Sequence, residues 1–480
     1  MSILYILLAI LFFGFLIFVH ELGHFLVARA CGVKILEFAI GMGPKIVSVK
    51  SKKSGTAYSL RLFPIGGFVS MLGENGMELA QGGSGQDGTS APPASGADDA
   101  SDRDGSDDGN RDSFFVNSAA EPAANQPPSP AAAPSPVKDP GAYCNQKLWK
   151  RMLISLAGPL MNIVLGYVLM VVLVLWAGPA SVGGTQIAGF YVEYTAEEAL
   201  GGIQKGDSIV GVDGADVRSM AQLRELVSAK PSGLFTVTVQ RPNEDRTAVI
   251  GVTLEHVPLS PELLESSFAS SLSEGSGLQV NDIVKKVNNT AVHTFNELFY
   301  EMSNQGYRPL TLTVERNGEK VVLENVIIPS YVASGVTFGN PDFQVYREAS
   351  FDFPTVIKHA FWRSCSAVKM VFDSISGLLT GRYGIEAVSG PIGITEVITD
   401  AAKSSGLDVL NLLIVISINL GVMNLLPLPA LDGGHILLYI IEAIRRKPLK
   451  PEIEGVINFI GLILLLGLAV IIAIKDVIAL

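Results

Sequence analysis

Along the chain, four long apolar runs stand apart from everything else. The first is Ile3–Val19, and its pattern continues as helix through His20–Ala30. The second is about Leu153–Trp176, the third about Val409–Leu426 and the fourth Val456–Ile474. Each is long enough to span a hydrocarbon core about 30 Å thick as a helix. The first run has no basic residue ahead of it, and histidine and glutamate follow it where a signal peptide would have its cleavage site. It therefore reads as a retained span.

Between the first two runs the pattern changes period. Lys45–Val49 and Ala57–Leu62 alternate like strands across a Lys/Ser/Gly turn, and Ile65–Ser70 follows, so residues 36–76 read as a membrane-associated β-hairpin and loop. Residues 77–142 are rich in Ser, Pro, Ala, Gly and Asp and cannot bury a core, so they read as a disordered acidic insertion. Residues 331–405 read as an amphipathic connecting region.

Residues 185–330 repeat themselves at an offset of 75. Gly202-Ile-Gln-Lys-Gly-Asp207 matches Gly277-Leu-Gln-Val-Asn-Asp282, and Val212, Val217 and Leu223 match Val287, Val292 and Leu298. Each copy continues into a helix and then a Val/Thr-rich strand, which suggests two compact domains, 185–258 and 259–330. The unit resembles the PDZ domain, which takes up an extended peptide as an added strand. The reading for the whole chain is a polytopic α-helical membrane protein. Its four transmembrane helices fall in 1–35, 143–178, 406–445 and 454–476, joined by the hairpin and two PDZ-like α+β domains.

Composition supports this. Of the 480 residues, 48% are hydrophobic and 17% charged, well below the roughly one quarter charged of ordinary soluble chains. The net charge of −11 argues against a nucleic-acid partner. Most of that charge is local: residues 77–142 carry 11 acidic and 3 basic side chains. The three cysteines form no Cys-x-x-Cys pair. Basic clusters at Arg29–Arg61, Lys147–Arg151 and Arg445–Lys450 all fall on one side if the N-terminus is outside.

The chemistry is concentrated in the first span. His20-Glu21-Leu22-Gly23-His24 is H-E-x-x-H. On a helix the two imidazoles share a face and can grip one Zn²⁺, with Glu21 placed to take a proton from activated water. Ionisable residues inside an apolar helix are costly in lipid and default to a functional reading. His20 lies roughly 26 Å along the span from Ile3, near the inner face. A third ligand is required. Asn424-Leu-Leu-Pro-Leu-Pro-Ala-Leu-Asp432-Gly-Gly-His435 breaks the third apolar run, and non-helical backbone at this depth survives only where it lines a cavity or is buried in protein. Asp432 and His435 both qualify. A transporter would spread its ligands along a pathway, whereas these gather at one point.

These motifs, with Ala157-Gly-Pro-Leu-Met-Asn162 and Ser389-Gly-Pro-Ile-Gly-Ile394, resemble the site-2 protease family, most closely its regulator of sigma-E protease type with tandem PDZ domains. The likeness covers nearly the whole chain except 77–142. It implies that His20, His24 and Asp432 bind zinc and that Glu21 is general base and then proton donor. It also implies that Asn424 lies near the substrate backbone and that Gly66 and Gly67 belong to an element pairing with extended substrate. Asn162 is a candidate either to face the site or to pack between helices. The implied activity is that of a site-2-type zinc metalloendopeptidase in the bacterial inner membrane, with its active site near the cytoplasmic face and its PDZ-like domains outside. It would cut in or near the transmembrane segment of an anti-sigma-type substrate, or remnant signal peptides. Peptide ligands of the PDZ-like domains and the lipid bilayer complete the expected partners. The rival reading is a catalytically silent membrane-tethered tandem-PDZ scaffold.

Overall fold

The computed structural model describes residues 3–74 and 139–479, apart from 231–232, 243–248, 307, 334–335, 385–387, 389 and 450. The acidic insertion therefore lies, as far as residue 138, outside the described residues.

Four of the helices are long and apolar enough to cross a membrane. They lie in α1 (Ile3–Ala30), α2 (Leu148–Ala177), α9 (Gly406–Asn424) and α11 (Pro451–Ala479). The chain is a multi-pass membrane protein. Helix α2 is central, and small residues let its neighbours approach its backbone. A Cβ on Gly23 of α1 would lie 2.9 Å from the carbonyl carbon of Ala157, and one on Gly421 of α9 would lie 2.7 Å from the Pro159 carbonyl oxygen.

The segment after α1 forms two long strands, β1 (Ile35–Lys50) and β2 (Ala57–Met71). This differs from a simple hairpin. Gly41 (φ +86°) and Gly43 (φ +87°) let β1 bend, and the two strands fold into four rows. Residues 57–60 pair with 47–50 on one side and with 37–40 on the other. Residues 35–40 pair in turn with 67–71, with Ile40 opposite Gly67 and Ile35 opposite Met71. Gly67–Met71 is thus an edge row, and no further strand pairs with it among the described residues.

After α2 the chain builds two six-stranded sheets. The strands are β3 (Gly183–Phe190), β4 (Val192–Tyr194), β5 (Ser208–Val212), β6 (Ala215–Asp216), β7 (Leu234–Pro242), β8 (Val249–Pro258) and β9 (Phe268–Ala269). There follow β10 (Ile283–Val287), β11 (Thr290–Ala291), β12 (Leu310–Arg316), β13 (Glu319–Val326), β14 (Ser330–Ala333), β15 (Val336–Gly339) and β16 (Phe343–Arg347). The helices α3 (Met220–Ser228), α4 (Pro261–Ser267), α5 (Leu272–Gly275) and α6 (Phe295–Asn304) intervene. One sheet runs β8-β7-β5-β4-β9 with β6 on β5, the other β13-β12-β10-β3-β16 with β11 on β10.

The repeat is visible atom by atom. Arg241 grips Asp207 with Nε and a second nitrogen at 2.8 and 2.6 Å and donates to the Gly202 carbonyl at 2.8 Å. Arg316 grips Asp282 at 2.7 Å twice and donates to the Gly277 carbonyl at 2.8 Å. The two units interleave, so a division at 258/259 does not match the strand pairing. Strand β3, which precedes the first unit, pairs in the second sheet, while Phe268–Ala269 pair in the first. Residues 343–347, read as connecting region, form the outer strand of the second sheet.

Each unit has its own apolar core. Two further helices, α7 (Phe353–Leu379) and α8 (Pro391–Ser404), lead back to α9. Helix α7 buries Val356, Ala360, Ala367 and Val371 against α2 and α9 and is tied to α6 by Tyr300–Asp373 (2.7 Å) and Lys369–Glu301 (2.8 Å). After α9 the chain breaks, then resumes as α10 (Asp432–Arg445).

Candidate active site

His20 and His24 stand one turn apart on α1 and turn the same way. The break after α9 brings Asp432 to them. In that break Ala430 adopts φ +70°, and Gly433 and Gly434 are pressed so closely on the carbonyls of Leu425, Leu426 and Leu428 that side chains there would collide with backbone. Arg151 on α2 donates to Glu442 on α10 at 2.6 Å, and the hydroxyls of Tyr143, just ahead of α2, and Tyr439 meet at 2.7 Å, fixing α10 against α2 and the turn before it.

The three donor atoms converge. His20 Nε2 is 3.2 Å from His24 Nε2 and 3.1 Å from Asp432 Oδ2, and His24 Nε2 is 3.5 Å from Asp432 Oδ1. Four-coordinate zinc, with bonds of about 2.0–2.1 Å, keeps its donors about 3.3–3.4 Å apart. The donor set fits one such ion with a coordination position to spare. His435 is not part of this cluster, its Nδ1 lying 3.1 Å from Glu454. These side chains are largely enclosed, the two histidines 11% and Asp432 19% exposed.

Glu21 lies beside the pair, and the Val69 backbone N–H donates to its carboxylate. Gly67 is close enough that a Cβ there would sit 3.1 Å from Glu21 Cγ and 3.0 Å from the Ala39 carbonyl oxygen. The edge row of the folded sheet therefore runs directly past the carboxylate. Gly66 (φ +89°) turns the chain into that row. Asn424 ends α9 and donates to the Leu420 carbonyl at 3.0 Å, with no hydrogen bond to His20, His24 or Asp432.

Gly158 belongs to the site as well, though nothing in the sequence alone marks it as a site residue. A Cβ on it would sit 2.8 Å from His20 Nε2 and closer still to His24 Nε2, so the bare backbone of α2 is what leaves room for both rings.

The match to known proteins agrees with this geometry. The model of peptidase family M50 covers residues 8–468. The chain belongs to that family. It is accordingly a zinc-dependent metalloprotease. It is 28% identical to the regulator of sigma-W protease RasP of Bacillus subtilis and 27% identical to the zinc metalloprotease RasP of Bacillus licheniformis. Each alignment covers 98% of this chain and 97% of the relative.

Proposed function

We propose that this protein hydrolyses a peptide bond in or next to the membrane-spanning segment of a membrane-anchored substrate, with His20, His24 and Asp432 as the zinc ligands. The observation that carries the reading is the meeting of two histidines on a membrane helix with a carboxylate from a second apolar element, at 3.1 and 3.5 Å. When bound, zinc polarises a carbonyl and makes water acidic enough to attack at neutral pH. Glu21 takes the proton of the attacking water and returns it to the amine nitrogen as the C–N bond breaks.

A helix hides its scissile carbonyl and leaves no backbone group free, so a substrate helix must unwind, and unpaired groups are expensive in lipid. The edge row at Gly67–Met71 can receive the extended segment by strand addition, with Gly66 and Gly67 letting it lie close to Glu21. Asn424, with one amide hydrogen committed to Leu420, would hold the substrate backbone through its carbonyl oxygen.

The two repeated units are read as PDZ-like domains with one of two roles, a groove for peptide ligands or a size filter against substrates with bulky outer portions. The substrate class is a transmembrane protein of the anti-sigma type, in keeping with the name of the Bacillus subtilis relative, with remnant signal peptides second. The location is the bacterial inner membrane, with the active site near the cytoplasmic face.

The test is cleavage of a single-span model substrate by purified protein, with zinc content determined alongside and Glu21→Gln as the partner sample. Cleavage by the wild type that disappears in Glu21→Gln at equal zinc content supports the reading. Wild type without zinc would sink the assignment of His20, His24 and Asp432 as zinc ligands.

A further inference from the structure

Asn162 lies on α2 one turn beyond Gly158, wholly buried, with its Nδ2 3.4 Å from His20 Nδ1 and its Oδ1 without a hydrogen-bond partner. An amide buried beside an imidazole with its acceptor idle calls for an explanation.

His24 supplies the comparison. Its Nδ1 lies 2.8 Å from the Ile154 carbonyl oxygen, one turn before Gly158. A carbonyl can only accept, so Nδ1 of His24 carries the hydrogen and Nε2 presents its lone pair to the donor cluster. His20 faces the cluster through the same nitrogen, Nε2, and so needs the same tautomer, with its Nδ1–H meeting an acceptor. As placed, the Asn162 amide offers Nδ2, which sets a donor against that hydrogen. The oxygen and nitrogen of an amide exchange places on a half-turn about its last side-chain bond.

We propose that in the zinc-loaded protein the Asn162 amide is turned, so that Oδ1 accepts from His20 Nδ1–H, and that Asn162 is thereby a positioning residue for the zinc site. It contacts the ligand and not the metal. One face of α2 then serves both imidazoles, through the Ile154 carbonyl for His24, the empty space at Gly158 for both rings, and the Asn162 amide for His20. The inference rests on His20, His24 and Asp432 being the ligands.

Zinc affinity of the purified full chain, measured by competition with a chelator, tests it, with the absorption spectrum of the Co²⁺-substituted protein as a second readout. Asn162→Leu should weaken zinc binding by about 10–100-fold, the range found when such supporting partners are removed. It should also alter the cobalt spectrum. Asn162→Asp keeps an acceptor at the same place and should restore both. Ser417→Ala is the packing control, since Ser417 Oγ donates at 2.8 Å to the backbone carbonyl of Asn162 and not to its amide, and it should bind zinc like wild type. Unchanged affinity in Asn162→Leu overturns the proposal while leaving the ligand assignment intact. Equal loss in the Leu and Asp variants assigns Asn162 to packing and overturns it as well. Wild type that binds no zinc removes the ligand assignment, and the proposal with it.

Discussion

Replacing Gly158 with alanine should empty the zinc site of a protein that otherwise stays folded. The added Cβ would lie 2.8 Å from His20 Nε2, and closer to His24 Nε2, where ordinary contact begins near 3.4 Å. His20 would have to retreat by about 0.6 Å, whereas a zinc site tolerates displacements of about 0.2 Å in its ligand distances. Helix α2 cannot back away instead. Gly23 already holds α1 against the Ala157 carbonyl, and Gly421 holds α9 against the Pro159 carbonyl, so α2 is wedged from two sides. The strain therefore falls on the imidazoles. Alanine gains about 1 kcal/mol over glycine in helix propensity, which offsets part of the 1–3 kcal/mol or so of ordinary overpacking. Zinc affinity should drop by about 100-fold or more, beyond the effect of losing a supporting contact, with a thermal midpoint near that of the wild-type apoprotein. Zinc per chain after dialysis against a chelator and thermal unfolding in detergent measure the two. Wild-type zinc affinity in Gly158→Ala would refute the reasoning, because it would mean that the rings do not need that space.

Three further outcomes are expected. Gly67→Pro removes the backbone N–H of the edge row beside Glu21 and should impair substrate cleavage while zinc content stays at the wild-type level; full activity would take that row out of the mechanism. Arg316→Leu leaves the fully buried Asp282 carboxylate uncompensated and should destabilise the second unit by about 3–5 kcal/mol. Arg241→Leu should do the same to the first, and thermal unfolding that shifts in neither variant would contradict the account of the repeat. Burial holds the His359 imidazole on α7 below its ordinary value, against the pull of Glu348 at 3.5 Å and with Lys358 and Arg363 opposing protonation. The unfolded chain takes up that proton near pH 6.5 and the folded chain resists it, so stability should fall as pH drops below about 6.5. Midpoints at pH 7.5 and 5.5 should differ less in His359→Phe, and an equal difference would assign the pH dependence elsewhere.

The spans and the metal motif were legible because both are local. An apolar run declares its length, and H-E-x-x-H carries its geometry in the spacing of one helix. Asp432 was also within reach, since the break that carries it is marked by Pro427, Pro429, Gly433 and Gly434. What stayed hidden depends on partners far along the chain. The alternation in 45–62 announces strands, but nothing in it says that residues 57–60 pair on both sides or that Gly67–Met71 ends at the edge. The repeat betrayed two units, yet not that β3 would cross into the second sheet, because either sheet accepts a short apolar strand. The role of Gly158 is a space, and its sequence mark is no different from that of a packing glycine such as Gly166.

The interleaved sheets have a consequence for modularity. The first unit leaves the second after Phe190 and returns after Ala269, and its entry and exit strands run side by side, with Glu193 opposite Ala269. Its two ends therefore nearly touch, as in a cassette inserted into a loop. The second unit keeps both connections to the membrane helices, on the neighbouring strands β3 and β16, with Gly183 opposite Arg347 and the Glu348 N–H bonded to the Val182 carbonyl at 3.0 Å. It is the pedestal and the first unit is its cargo. A chain built this way can gain or shed an entire outer unit at the β3–β4 junction and still present the same pair of strands to α2 and α7.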